Sequence, residues 1–142
     1  VNLDEFVKRA AEGPGQRPGV TLTWGKTRFF SGYDPLADEI NIGSEVIRKG
    51  QAPAIIAHEL AHRREGTFTG LGGDISERTF WHELVAWESA INQGLSLEEL
   101  DEELIEDSLG SYLAEVKWAY GEDSLQYRDA RDGYARFKRR YL

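Results

Sequence analysis

The hydrophobic pattern changes period once along this chain, and that change limits the folds open to it. In Val20-Thr21-Leu22-Thr23-Trp24 and in Glu39-Ile40-Asn41-Ile42-Gly43, apolar residues alternate with polar ones. Successive side chains of an extended strand point to opposite faces, so this spacing builds half-buried strands. From residue 44 onward the apolar residues recur every three or four positions, the period of a helix with one face against a core.

Local signals divide the chain further. A first helix is expected near the start, where Asn2 and Glu5 have capping-box spacing and Leu3, Phe6 and Val7 form a stripe. Gly13-Pro14-Gly15 ends it. Residues 27–33 are expected to pair back on residues 20–24 across Gly25-Lys26, and Asp34-Pro35 to break the chain. Helices are expected over 44–49 and from Pro53 to Glu65, stopped by Gly50 and Gly66. Three more follow. One is capped by Asp74 and Glu77 and reaches Asn92; one is capped by Ser96 and Glu99, reaches Tyr120 and is interrupted at Gly110; the last is capped by Asp123 and Gln126 and reaches Arg140. Helix, sheet, then a run of helices is an α+β order: a small antiparallel or mixed sheet of about three strands, packed on the 53–65 helix and followed by a C-terminal helical bundle. Trp81, Trp87, Trp118 and Tyr112, Tyr120, Tyr127, Tyr134 and Tyr141 are expected mainly in its core and helix packing.

At 142 residues the chain is read as one domain, 1–142. Seventeen basic and 25 acidic side chains leave a net charge of −8, which argues against nucleic acid and anionic membrane surfaces as partners. There is no cysteine, so disulfides, iron–sulfur clusters, cysteine zinc fingers and cysteine nucleophiles are excluded. With no signal peptide visible either, a cytoplasmic location is the expectation. The absent initiator Met fits a trimmed chain or a piece of something longer. Seven acids between Glu98 and Asp107, with Leu100, Leu104 and Ile105 among them, read as a helix with a core stripe and a solvated acidic face. Six basic residues between Arg128 and Arg140 complement the end of the last helix.

One pentapeptide carries chemistry: His58-Glu59-Leu60-Ala61-His62. On a helix, residues four apart sit about 40° apart around the axis, so both imidazoles face one way and can share a Zn²⁺ ion. Glu59, about 100° round, is badly placed to ligate the same ion but well placed to take a proton from a water beside it. A third ligand must come from elsewhere, because Phe68 stands where an extended motif would put a third His. The following helix offers His82, Glu83 and Glu88, with Asp74 just before it. With Glu83 at 0° on the wheel, Phe80, Trp87 and Ala90 lie within about 60°, while Glu88 falls near 140° and His82 near −100°. Glu83 therefore sits on an apolar face, where a carboxylate needs compensation, from a cation or from an arginine such as Arg63 or Arg64.

A HExxH helix followed by a helical Glu with Ala three and seven residues on resembles the gluzincin branch of zinc peptidases, and within it the small ImmA/IrrE-like peptidase domains. The resemblance runs from about Tyr33 to Ala90 and includes the 39–43 strand. It implies a zincin-like fold, Zn²⁺ as cofactor, His58, His62 and Glu83 as metal ligands, Glu59 as the catalytic base, and a peptide or protein substrate. Arg63 and Arg64 depart from stricter patterns, which want an uncharged and then an apolar residue, and no helix-turn-helix segment is evident. The 39–43 strand either binds an extended peptide as a sheet edge or simply pairs within the sheet. The loop from Gly66 to Gly73 is either a flap or a connector. His82, Tyr112, Tyr120 and Tyr33 are all possible donors to a tetrahedral oxyanion, and the sequence does not choose among them. The rival reading is a zincin-like module that keeps its metal but serves regulation, interaction or assembly; an intact Glu59 favours the enzyme.

Overall fold

The computed structural model describes residues 5, 8, 10, 11, 19–66, 77–93 and 100–142. The expected first-helix cap and stripe at Asn2, Leu3, Phe6 and Val7, the caps at Asp74, Ser96 and Glu99, and residues 67–73 of the glycine-rich loop lie outside them.

The architecture is α+β. Three strands, β1 (Thr21–Trp24), β2 (Gly32–Asp34) and β3 (Glu39–Ile42), form a mixed sheet in the order β1-β3-β2. β1 runs parallel to β3, with Leu22 opposite Ile40, and β2 runs antiparallel to it, with Tyr33 opposite Ile40. The alternation in β3 has its expected result: Ile40 and Ile42 are fully buried on one face.

The hairpin expected across Gly25-Lys26 does not form. Residues 27–31 use their polar groups elsewhere. The carbonyls of Thr27 and Arg28 accept the N–H groups of Ser44 and Glu45 at 3.0 and 2.9 Å, filling two of the donors that every helix start leaves unsatisfied. Ser31 Oγ accepts from Gly43 N at 2.8 Å. Gly43 is what allows this approach, since a Cβ there would stand 2.9 Å from the Phe30 carbonyl oxygen. The real hairpin lies one segment on, at the Asp34-Pro35 pair read as a break. The Asp34 carboxylate accepts from the N–H groups of Leu36 and Ala37, and the chain turns back through Asp38 at φ 50° into β3. β3 is thus central and paired on both sides, so it is no edge for a peptide; among the described residues β1 and β2 are the edges.

Among the described residues five helices follow: α1 (Ser44–Arg48), α2 (Ala52–Glu65), α3 (Glu77–Asn92), α4 (Glu102–Tyr120) and α5 (Leu125–Tyr141). The sheet packs on α2, and α2 to α5 make the C-terminal four-helix arrangement. Gly66 ends α2 in the left-handed conformation at φ 69°, its N–H donating to the His62 carbonyl. The cap of the last helix lies one residue later than the expected Asp123. Asp101 caps α4, accepting from Leu104 N, and Ser124 caps α5, accepting from Tyr127 N. α4 runs through Gly110 without interruption. Gly133 on α5 lets that helix meet Trp81 of α3; a Cβ there would overlap the indole ring.

Ile40, Ile42, Ile56, Leu60, Phe80, Trp87, Leu100, Ile105, Leu109 and Val116 belong to one apolar cluster spanning sheet and helices. Leu100 and Ile105 are its contribution from the acidic segment, whose carboxylates Glu102, Glu103, Glu106 and Asp107 face solvent. Trp118 is a correction: it lies on the outer face of α4, 88% exposed. No described helix is long and apolar enough to cross a membrane.

Candidate metal centre

α2 is buried on nearly every side, and its polar motif residues are buried with it. Ala54, Ala57 and Ala61 keep the helix slim beneath the sheet and beside α3. His58 and His62 rise from one face, one turn apart, and are 5% and 3% exposed. α3 packs against α2 and carries Glu83, 3% exposed, on the same side as the buried Ala86 and Ala90.

The three side chains converge. Glu83 Oε2 lies 2.6 Å from His58 Nε2, Glu83 Oε1 lies 3.1 Å from His62 Nε2, and the two Nε2 atoms are 3.0 Å apart. Two imidazole nitrogens at that distance repel through their lone pairs unless a proton or a cation lies between them. Donors on a tetrahedral zinc with bonds of ~2.0–2.1 Å stand about 3.3 Å apart. The separations here come to that value with side-chain shifts of about half an ångström. Two imidazoles and one carboxylate also leave a fourth position, as catalytic metal sites do. Among the described residues this is the one group of three or more such side chains able to hold a metal ion, with donor atoms all within 4.8 Å of one another. The residues present fit a divalent cation.

Electrostatics agree. Burial alone would raise the Glu83 carboxyl, but the imidazoles of His58 and His62 more than reverse this and hold it well below the usual carboxylate range. Neither arginine offered as a partner takes Glu83. Arg63 instead makes a forked pair with Asp38, Nε to Oδ1 at 2.6 Å and Nη2 to Oδ2 at 2.9 Å. Arg64 turns to Ser89 and Glu65. His82 and Glu88 are half-buried and outside the converging group; Asp74 lies outside the described residues.

Glu59 is half-buried beside His58. Burial pushes its carboxyl above the usual range; the imidazoles of His58 and His62 act downward, Glu83 acts upward, and a backbone hydrogen bond from Tyr33 on β2 acts downward. Tyr33 is itself fixed, because its hydroxyl donates to Asp38 Oδ1 at 2.6 Å. The arginine that departs from peptidase patterns thus has a definite place. It ties the β2–β3 turn to the motif helix, and β2 supplies an N–H to Glu59.

Of the four suggested oxyanion donors, Tyr112 on α4 is the one whose hydroxyl is raised by burial and then by the charges of Glu83, Glu115 and Glu59, which puts it within their field. Tyr33 is committed to Asp38, Tyr120 is 40% exposed, and His82 is half-buried on α3.

Two contacts escaped the sequence reading. Trp87 stacks on the His58 ring, centroids 4.0 Å apart and planes 25° apart, and its Nε1 donates to Ser108 Oγ at 3.3 Å. The signal was present: Trp87 stands one turn after Glu83 on the same helix face. The Arg63–Asp38 pair was hidden because Asp38 sits 25 residues away in a turn. His58 Nδ1 is buried and has no hydrogen-bond partner among the described residues. An unpaired buried group of this kind costs about 1–3 kcal/mol.

No family model matches this chain, and no match to it is found among curated proteins or solved structures.

Proposed function

We propose that the protein is a zinc-dependent metallopeptidase. The observation that carries the proposal is the buried convergence of His58, His62 and Glu83 with a second carboxylate, Glu59, one residue from a ligand and outside the ligand set. A scaffold needs the three ligands; it has no need of the second carboxylate.

His58, His62 and Glu83 are the residues that would hold the ion. Zinc there would supply Lewis acidity, lowering the pKa of a water toward neutral and polarising a carbonyl. Glu59 would serve as the base that takes a proton from the attacking water and as the acid that delivers it to the departing amine. The Tyr33 N–H orients it. Tyr112 is the proposed donor to the oxygen that gains charge in the transition state. β2, an edge strand that packs on α2, is where an extended peptide backbone would lie.

The test compares zinc-loaded wild type with Glu59→Gln on a panel of unfolded proteins and on the chain itself. Cleavage by wild type and its loss in Glu59→Gln, with zinc retained in both, is the expected result. Equal cleavage by the two removes Glu59 as base. Full zinc occupancy without cleavage of any substrate leaves the metal-holding module as the better reading.

A further inference from the structure

A histidine that holds a metal through Nε2 ordinarily donates its Nδ1–H to a carboxylate, a carbonyl or a water, which fixes both the tautomer and the plane of the ring. His58 Nδ1 makes no such bond among the described residues, although it is buried. Another group holds the ring. The indole of Trp87 lies flat against it at 4.0 Å, and His62 meets its edge at 4.5 Å with planes 80° apart. Trp87 is 1% exposed and cannot swing away without emptying the core. Its remaining freedom, rotation in its own plane, is stopped by the hydrogen bond to Ser108 on α4.

We propose that Trp87, anchored by Ser108, is the positioning residue for the His58 imidazole and sets the affinity of the centre for its ion. The inference rests on the metal reading above and deepens it. One turn of α3 delivers both the carboxylate ligand, Glu83, and the wall that orients a second ligand, so the register of α3 against α2 governs two of the three donors at once. The stack fixes the plane of the imidazole, so the centre depends on the shape of residue 87.

The experiment measures zinc affinity of metal-free wild type, Trp87→Phe, Trp87→Leu and Ser108→Ala by competition with a chromophoric chelator, and records the visible spectrum of each protein with Co²⁺. Melting of the metal-free proteins shows which variants fold. Trp87→Leu is expected to bind zinc about ten- to a hundredfold more weakly, the usual range for losing the support of a ligand, with shifted Co²⁺ bands. Trp87→Phe keeps a flat face and is expected within a few-fold of wild type, a rescue that mere core filling by Leu does not give. Ser108→Ala is expected to be weaker by a few-fold with a smaller shift. A folded Trp87→Leu with wild-type affinity and spectrum overturns the proposal. If Trp87→Leu fails to fold, identical affinity and spectra in wild type, Trp87→Phe and Ser108→Ala overturn it. A wild type that binds neither zinc nor cobalt removes the metal reading and this inference together; metal bound equally by all variants removes the role of Trp87 alone.

Discussion

The Arg63–Asp38 pair makes an asymmetric prediction, because its two charges differ in their access to water. The Arg63 side chain is 1% exposed and that of Asp38 is 35% exposed. Removing Asp38 leaves a buried guanidinium without its carboxylate; removing Arg63 leaves a carboxylate that water can reach. Breaking a buried pair by deleting one partner costs about 3–5 kcal/mol when the remaining charge is left uncompensated. Asp38→Asn keeps one carbonyl acceptor, and Asn tolerates the φ of 50° at this position, so backbone strain does not enter. Crediting the carbonyl with about 1 kcal/mol leaves an expected loss of about 2–4 kcal/mol. In Arg63→Met the carboxylate is rehydrated and keeps the Tyr33 hydroxyl, and Met occupies the apolar part of the arginine's space, so about 1–2 kcal/mol is expected. The double variant strands nothing and is expected to lose less than the sum of the singles. Urea unfolding of the four metal-free proteins at one pH measures all three quantities. An Arg63→Met loss equal to or larger than that of Asp38→Asn, or strict additivity in the double variant, would refute the reasoning.

Glu83→Gln preserves shape and removes the buried negative charge, so zinc bound after dialysis, read by elemental analysis, is expected to fall from one equivalent to a small fraction. Zinc at 100 times its Kd is expected to stabilise the wild type by about 2.7 kcal/mol against urea and to leave Glu83→Gln unmoved. Gly133→Ala puts a methyl into the Trp81 ring and is expected to cost about 1–3 kcal/mol in thermal unfolding, with Trp81→Leu in the same chain recovering part of it. Tyr112→Phe is expected to lower kcat on any cleaved substrate by about a hundredfold or more while zinc content stays at one equivalent.

The three residues of the candidate metal centre were legible because each is a local pattern. Four-residue spacing on a helix fixes the two imidazoles, and the wheel of α3 puts Glu83 on a buried face without any knowledge of what lies opposite. The same locality explains the errors. A turn at Gly25-Lys26 and one at Asp34-Pro35 look alike in sequence. The choice between them was made by α1, whose free N–H groups draw in the carbonyls of Thr27 and Arg28, a contact 17 residues long. Parallel pairing of β1 with β3 follows from that choice and has no signature of its own. The contacts of Asp38 with Arg63 and of Trp87 with His58 were missed for a related reason: each crosses a gap in the chain, and the helix face that Trp87 shares with Glu83 was the one local sign of either. Trp118 shows the reverse case, an apolar residue that helical periodicity alone did not place, on the outer face of α4.

Diffraction from crystals grown with zinc, recorded on both sides of the zinc absorption edge, tests the central claim most directly. The account requires one anomalous peak within bonding distance, about 2.0–2.2 Å, of His58 Nε2, His62 Nε2 and a carboxylate oxygen of Glu83. A peak elsewhere, or well-ordered imidazoles at 58 and 62 with only Glu83 between them at saturating zinc, would contradict it.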